Sequence, residues 1–546
     1  MKFFPFTALL ILAFATAANA HANPQAAPVD SSDSPLPRIR AIVLVPDESS
    51  AVLDVPEATT GVDGSRVPEF SAELAGETLS AYLGRPITPS AIYGLAAAVQ
   101  ATMQAGGQLF TVAYVPPQDV STGAVRVVVT PAKLDGDLQI EGAKYFSEAS
   151  YRAAVPLAAG GAIDAAVVQA GVDRLNRGGY RRVVVAAEPG ATAGTTKLVL
   201  RTLETRPWSL SAGYNNTGTA VTDENRATAG VVWGNAFDRG DTLGYSFSAD
   251  PALEHSISHS ANYGTLFDSG HSLTAFGGYS TVESALPSPL TQEGRSWQVG
   301  VRFGVPLKPL AGGGTQTLAF TADFKASDNN LEFATIPITD NLTHIAQFGA
   351  TYGMTFRALG GQNSVSLAGY VSPGGLSSRN HGRYFDGSRP GAKAQYAYAK
   401  LSLTHRRTLG SAGFWWSTAV EAQATSGALL GTEQLNGAGA YGVRGYGESA
   451  AFGDAGLLVN HELHLPACSP FKARDQADAF VFLDAAALHD RGLEGGSIEL
   501  ASAGIGLSYQ VRRHFTLRAA YGWQLKALPN VAGEDSRGHV AATVTY

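Results

Sequence analysis

The chain has 546 residues, room for several domains, with 16% charged residues, 45% hydrophobic residues and 62 glycines. So few charges beside so much apolar surface exclude a disordered chain, and the glycine content argues against a helical bundle. A formal net charge of −7 leaves no general basic footprint for nucleic acid, and the single cysteine, Cys468, can form neither an internal disulfide nor a Cys-rich metal site.

Lys2 precedes an apolar stretch from Phe6 to Ala17, and Ala18-Asn19-Ala20 has the small-x-small pattern of a signal cleavage site. Residues 1–20 therefore read as a secretory signal cut between Ala20 and His21. Beyond it no run of about 20 apolar residues offers a spanning helix. Residues 21–37, rich in Pro, Ala, Ser and Asp, read as a flexible leader.

Residues 38–204 mix strand and helix signals in two successive units, 38–132 and 133–204. In the first, Arg38–Val45 is strand-like, Phe70–Leu83 and Ser90–Ala105 are helical, and Leu109–Val115 and Val125–Thr130 are strand-like. The second repeats the order. Leu134–Ile140 is a strand, Ser147–Val155 and Ile163–Arg177 are helices, and Tyr180–Ala186 and Lys197–Arg201 are strands. Two β-α-α-β-β repeats follow.

From about residue 205 to Tyr546 the period becomes two. Leu243, Tyr245 and Phe247 alternate with Gly244, Ser246 and Ser248; Trp297 to Val305 and Phe515 to Leu525 behave alike. Runs of about 8–11 residues suit tilted strands crossing hydrocarbon, where only helices and closed barrels satisfy the backbone. A soluble sandwich also alternates, but it carries its charges outside. Here the polar face is mainly Gly, Ser, Thr and Gln, as in a wet lumen, and the terminal Tyr546 lies on the apolar face with Val540, Ala542 and Val544. About 340 residues at roughly 20 per strand and connection give an antiparallel transmembrane barrel of about 16 strands.

Enzyme-like patterns carry little. Gly437 to Gly442 matches G-x-G-x-x-G without a helix to follow it, and His461-Glu462-Leu463-His464 has the wrong spacing for zinc, since residues three apart on a strand face opposite sides. No nucleophile stands near a base, so neither catalysis nor a cofactor or metal is expected. One constellation remains: Val443-Arg444-Gly445-Tyr446, in a Gly-rich segment spanning 441–456, and Phe482 and Asp484 in a strand-like run. Alternation turns Phe480, Phe482, Asp484 and Ala486 to the lumen. A carboxylate there wants a partner, which Arg444 can supply as a directional pair; ordinary hydrated lumen charges are the plainer alternative.

Two repeats, a barrel of this size and the V-R-G-Y and F-x-D elements together resemble the POTRA-plus-barrel transporters of the outer membrane. Having two repeats points to the two-partner secretion transporters, the TpsB (ShlB/FhaC/HecB) family. Tyr82-Leu83-Gly84-Arg85-Pro86-Ile87-Thr88, Tyr114-Val115-Pro116-Pro117-Gln118-Asp119-Val120 and Asn235-Ala236-Phe237-Asp238-Arg239-Gly240-Asp241 resemble further motifs of that family, and the likeness spans nearly the whole mature chain.

The resemblance implies two α+β POTRA repeats in the periplasm of a Gram-negative bacterium and a barrel in its outer membrane. It also implies a loop around 441–456 folded into the lumen, with Arg444 on Asp484 and Phe482 beside it. A haemolysin- or adhesin-like exoprotein would be secreted without ATP after docking on repeat edges, for which Gln118, Leu134, Ile140, Tyr180 and Ala186 are the contact candidates. The other expected partners are outer-membrane lipid and, during biogenesis, the barrel assembly machinery, with Tyr546 as the C-terminal signal; no nucleic acid is expected, and the protein is expected to be a monomer. Two departures stand out. Ala486 occupies the last position of the family's F-x-D-x-G, and no plug helix is evident before Arg38. The rival readings are an assembly factor of the same superfamily, which inserts other barrels, and a passive porin or adhesin-like barrel.

Overall fold

The structure, a computed structural model, describes residues 36–546 apart from 53, 68–69, 71–77, 107, 109, 193, 285–289, 334–335, 340, 473, 494 and 529–534. The signal segment, its cleavage position at Ala20–His21 and nearly all of the leader lie outside the described residues. The chain divides after Arg206 into two compact units.

In the first repeat, Ala41–Val45 runs parallel to both Ala124–Pro131 and a short unexpected strand, Gly61–Asp63, while Thr111–Tyr114 lies antiparallel to Ala124–Pro131. A long helix, Pro89–Ala105, starts where the Thr88 side chain caps the Ala91 amide at 3.2 Å and Pro89 enters at a position that needs no donor. Leu95, Val99 and Met103 of that helix pack on Ile42, Leu44, Val125 and Val127 of the sheet. Half of the helix expected over Phe70–Leu83, residues 71–77, lies outside the described residues; among the described ones 78–80 are helical, and a turn follows.

The second repeat has its own core, in which Tyr151, Val168, Val172 and Leu175 meet Val183, Val185, Leu198 and Leu200. Its helices Glu148–Ala154 and Ala165–Asn176 begin at Ser147 and Asp164, each capping with its side chain. The strand expected over Leu134–Ile140 is instead two short strands, Lys133–Leu134 and Gln139–Glu141, because the chain turns between them at Gly136 (φ +72°). Both run parallel to Thr195–Glu204, whose other flank carries Arg181–Pro189 antiparallel, so the sheet has Thr195–Glu204 at its centre. The two helices cross so closely that a Cβ on Gly171 would lie 2.4 Å from the Ala154 carbonyl oxygen and 2.5 Å from Val155 Cγ2. Alanine would improve helix propensity by about 1 kcal/mol, but overpacking against backbone costs about 1–3 kcal/mol. Gly171→Ala is therefore expected to destabilise the repeat, seen as an earlier urea midpoint for residues 38–204 made as a fragment.

In the second unit, sixteen antiparallel strands, from Trp208–Asn215 to Ser536–Thr545, close into a barrel among the described residues; the short Ile336–Thr339 extends one hairpin. The strands run from 8 residues (Trp208–Asn215) to 19 (Thr315–Phe333), so several outreach the 8–11 read from alternation. Closure joins the first strand to the last over Ala541↔Asn215 to Thr545↔Ser211. The Leu210 and Tyr546 backbones exchange hydrogen bonds of 3.1 and 2.8 Å, and the Tyr546 ring lies 5.9 Å from that of Trp208. Both ends of the barrel chain thus lie at one rim, called proximal below. Trp297, Val299, Val301 and Phe303 are exposed on the outer face, as are Tyr521, Trp523, Val540 and Val544. That is the apolar band a bilayer requires.

Candidate functional site

The site is built on the segment between strands Phe414–Thr425 and Ala455–His464, which leaves the distal rim and turns back into the barrel. Its backbone begins in a short 3-10 turn, Gly431–Glu433, and a two-residue hairpin pairs Leu435–Asn436 with Phe452–Gly453. No helix follows the 437–442 glycines; Gly439 adopts φ +103° and the chain turns toward Val443.

The tip of that segment, Val443 to Tyr446, is buried. The Arg444 amide and guanidinium both grip Asp484: the backbone N donates to Oδ2 at 3.1 Å, Nε to Oδ2 at 2.7 Å and Nη2 to Oδ1 at 2.8 Å. Nη1 donates to Glu462 Oε1 at 2.5 Å, and the guanidinium carbon lies 3.7 Å from the Phe482 ring centroid. Alternation on Asp475–Asp490 explains the placement. Phe480, Phe482, Asp484 and Ala486 are buried toward the lumen, while Val481 and Leu483 are exposed outside. Glu462 stands directly across from Phe482 in the neighbouring strand, so its carboxylate shares the lumen face. Such a forked, charge-assisted pair is among the strongest polar contacts available where water is scarce.

Gly445 and Tyr446 extend the grip. The Gly445 amide donates to His539 Nε2 at 3.1 Å, and its carbonyl accepts from Gln524 Nε2 at 2.9 Å. Its φ of +92° suits glycine, and a Cβ there would meet the Gly522 carbonyl oxygen at 2.8 Å. The Tyr446 hydroxyl shares its one proton between the carbonyls of Ala501 at 2.9 Å and Lys526 at 2.5 Å, and accepts from the Ala501 amide at 3.2 Å. Val443, Tyr446, Leu458, Ala486 and Leu488 form one apolar cluster under the tip, so the alanine at 486 contributes its methyl to the surface on which the loop sits.

Two further anchors escape sequence reasoning. Glu433, 2% exposed, takes Lys325 Nζ at 2.6 Å and the Tyr398 hydroxyl at 2.7 Å, tying the start of the loop to strands Thr315–Phe333 and Tyr396–Leu409. Asp454, wholly buried at its end, accepts both Arg389 Nη1 at 2.6 Å and Nη2 at 2.8 Å. No local motif marks Lys325 or Arg389; alternation places residue 325 on a face, but its partner lies 108 residues away. The lumen therefore holds more ionised groups than its Gly, Ser and Thr face suggested, gathered where the loop is fastened. His461-Glu462-Leu463-His464 belongs to this fastening: His464 Nε2 lies 2.9 Å from Glu462 Oε2 and Nδ1 2.9 Å from Asp478 Oδ1.

The repeat candidates sit differently. Gln118 spends its amide on the backbone of Arg126, accepting from N and donating to O at 2.8 Å each. Leu134 and Ala186 are buried, and Ile140 and Tyr180 pack against the second core. Tyr180 stands just before strand Arg181–Pro189, and what the strands carrying Leu134, Ile140 and Ala186 offer outward is backbone: they flank Thr195–Glu204 on either side as the outer strands of the sheet.

The comparisons agree with one another. The family model described as haemolysin secretion/activation protein ShlB/FhaC/HecB matches residues 194–509, and that of the ShlB-type POTRA domain matches residues 58–132. The outer membrane transporter CdiB of Escherichia coli is 25% identical over 442 residues, 76% of this chain and 72% of that protein. Outer membrane transporter CdiB-2 of Burkholderia pseudomallei is 24% identical over 229 residues, 42% of this chain and only 38% of its own length. The solved structure of CdiB from Escherichia coli superposes with a TM-score of 0.63 at 17% identity, covering 96% of this chain and 93% of that one, a likeness of fold. With a family match across more than half its length, the chain belongs to the ShlB/FhaC/HecB family of outer-membrane β-barrel transporters with periplasmic POTRA domains.

Proposed function

We propose that this protein is the translocation pore for one large exported partner, a haemolysin- or adhesin-like exoprotein, and that it works without ATP. The unfolded partner docks in the periplasm along a sheet edge of the repeats, where strand addition supplies backbone hydrogen bonds. Arg181–Pro189 and the pair Lys133–Leu134 and Gln139–Glu141 are the edges offered. The loop tip then leaves the lumen wall, the partner threads through, and its folding outside draws the chain forward.

One observation carries this reading: the lumen is occupied by a loop whose tip sets a buried arginine, Arg444, on two wall carboxylates. A passive porin has no need of such a removable obstruction, and the repeats would be idle in it. Assembly of other barrels is the second reading, and the ShlB-type character of the repeat and barrel matches weighs against it. Deleting the gene and measuring both culture medium and outer membrane by mass spectrometry separates the two. One or two very large proteins are expected to vanish from the medium while other barrels keep their levels. A collective fall of outer-membrane barrels would instead identify an assembly factor.

A further inference from the structure

Arg389 lies in the distal segment between strands Gly361–Ser372 and Tyr396–Leu409, just past a short helix, Gly382–Ser388. That segment turns inward. Phe385, 1% exposed, packs with Ile345, Tyr396, Leu429 and Leu430. Ile345 stands directly opposite Lys325, whose ammonium meets Glu433, so this cluster lies on the lumen side of the wall. Asn380 Nδ2 donates to the His344 carbonyl at 2.9 Å, and Thr343 and Ser388 join hydroxyls at 2.6 Å. The helix is thereby seated against strand Thr343–Ala358.

Arg389 then joins three distal segments at one point. Its fork closes on Asp454 at the end of the long loop, Nη2 also reaches Asp490 Oδ1 at 2.7 Å, and Nη1 meets the Leu429 carbonyl. Asp454 accepts besides from the amides of Leu429 at 2.8 Å and Arg491 at 2.6 Å. A fully buried carboxylate so supplied favours one arrangement of all three segments, and a planar fork holds that arrangement more strictly than a point charge.

We propose that residues 373–395 form a lid over the distal mouth, and that Arg389 is its positioning residue, latching the lid to the lumen loop at Asp454. The lid and loop stay together while the fork is intact. A polypeptide leaving the barrel must part them there. This rests on the reading that a polypeptide passes through the lumen, and it differs from the grip of Arg444 in that it fastens the distal end of the loop and not its tip.

The test uses the full-length protein in planar bilayers, with secretion measured in cells. Arg389→Ala is expected to lengthen dwell in the wide-open conductance state at least tenfold. Arg389→Lys, which keeps the charge and loses the fork, is expected to fall between Arg389→Ala and the parent. Arg389→Ala and Arg389→Lys both gating like the parent would overturn the lid. Should Arg389→Ala fail to yield a heat-modifiable barrel, Phe385→Ala loosens the lid with the ion pair intact and is expected to lengthen the same dwell; unchanged gating overturns the proposal equally. If gating shifts as expected but the parent secretes no protein at all, the lid stands and the transport reading falls.

Discussion

Arg444→Ala is expected to abolish secretion of the partner while the barrel remains inserted, and Asp484→Ala to do the same. Every hydrogen bond found for the Asp484 carboxylate among the described residues comes from Arg444, and Asp484 has no exposed surface. Removing the arginine leaves that carboxylate uncompensated, while Glu462 keeps Arg518 and His464; a buried charge stripped of its partner costs about 3–5 kcal/mol. At about 1.4 kcal/mol per tenfold change, the seated position of the loop loses a factor of about 10²–10³ against its alternatives. The sixteen-strand ladder does not depend on the loop, so heat-modifiable migration on gels is expected to persist. Arg444→Lys should recover little, because a single ammonium cannot serve both Asp484 oxygens and Glu462 at once. Normal export by Arg444→Ala and Asp484→Ala together would end the proposal that this grip governs passage.

Gly522→Ala is expected to unseat the same loop although it adds one methyl group and removes no charge. A Cβ on Gly522 would lie 2.8 Å from the Gly445 nitrogen, and 2.9 Å from both the Arg444 carbonyl carbon and the Gly445 Cα. All three are backbone atoms, so no side chain can swing aside. The strand carrying Gly522 is held by pairing on both flanks, which leaves the loop tip as the part that moves. Overpacking costs about 1–3 kcal/mol, and displacing the tip also lengthens the Arg444–Asp484 bonds that depend on its position. The expected readouts are raised bilayer conductance and loss of protease protection within 441–456. Equal conductance in Gly522→Ala and the parent would mean that the tip tolerates displacement, and that the arginine pair alone holds it.

Much of this fold is legible in the order of the residues alone. Period-two runs such as Trp297–Phe303 declare an outer apolar face, and the same alternation turns Asp484 and Phe482 inward with no knowledge of the neighbouring strand. Caps at Thr88, Ser147 and Asp164 sit where helical patterning begins. Other features are hidden for physical reasons. Gly136 breaks a stretch that hydropathy reads as one strand, because apolar patterning continues through a turn that depends only on φ. Strand lengths run past the expected 8–11 residues because backbone pairing needs no apolar face. Arg389, Lys325 and Glu433 carry no local signature, since each is defined by a partner in a distant part of the chain.

The sequence by itself determined what each residue's immediate neighbours can decide: an alternating pleat, a barrel's worth of strands, two compact α+β repeats before it, and an arginine in a glycine-rich turn with a lumen-facing carboxylate forty residues on. Tertiary structure decided which groups meet. Closing the barrel brought Glu462 beside Phe482, set Gly522 against Gly445 with no room for a side chain, and folded two distal segments onto one buried carboxylate at Asp454. Hydrophobic alternation is a local property of a pleated backbone, whereas an ion pair or a backbone contact across a lumen exists only once register and closure have fixed where every strand stands.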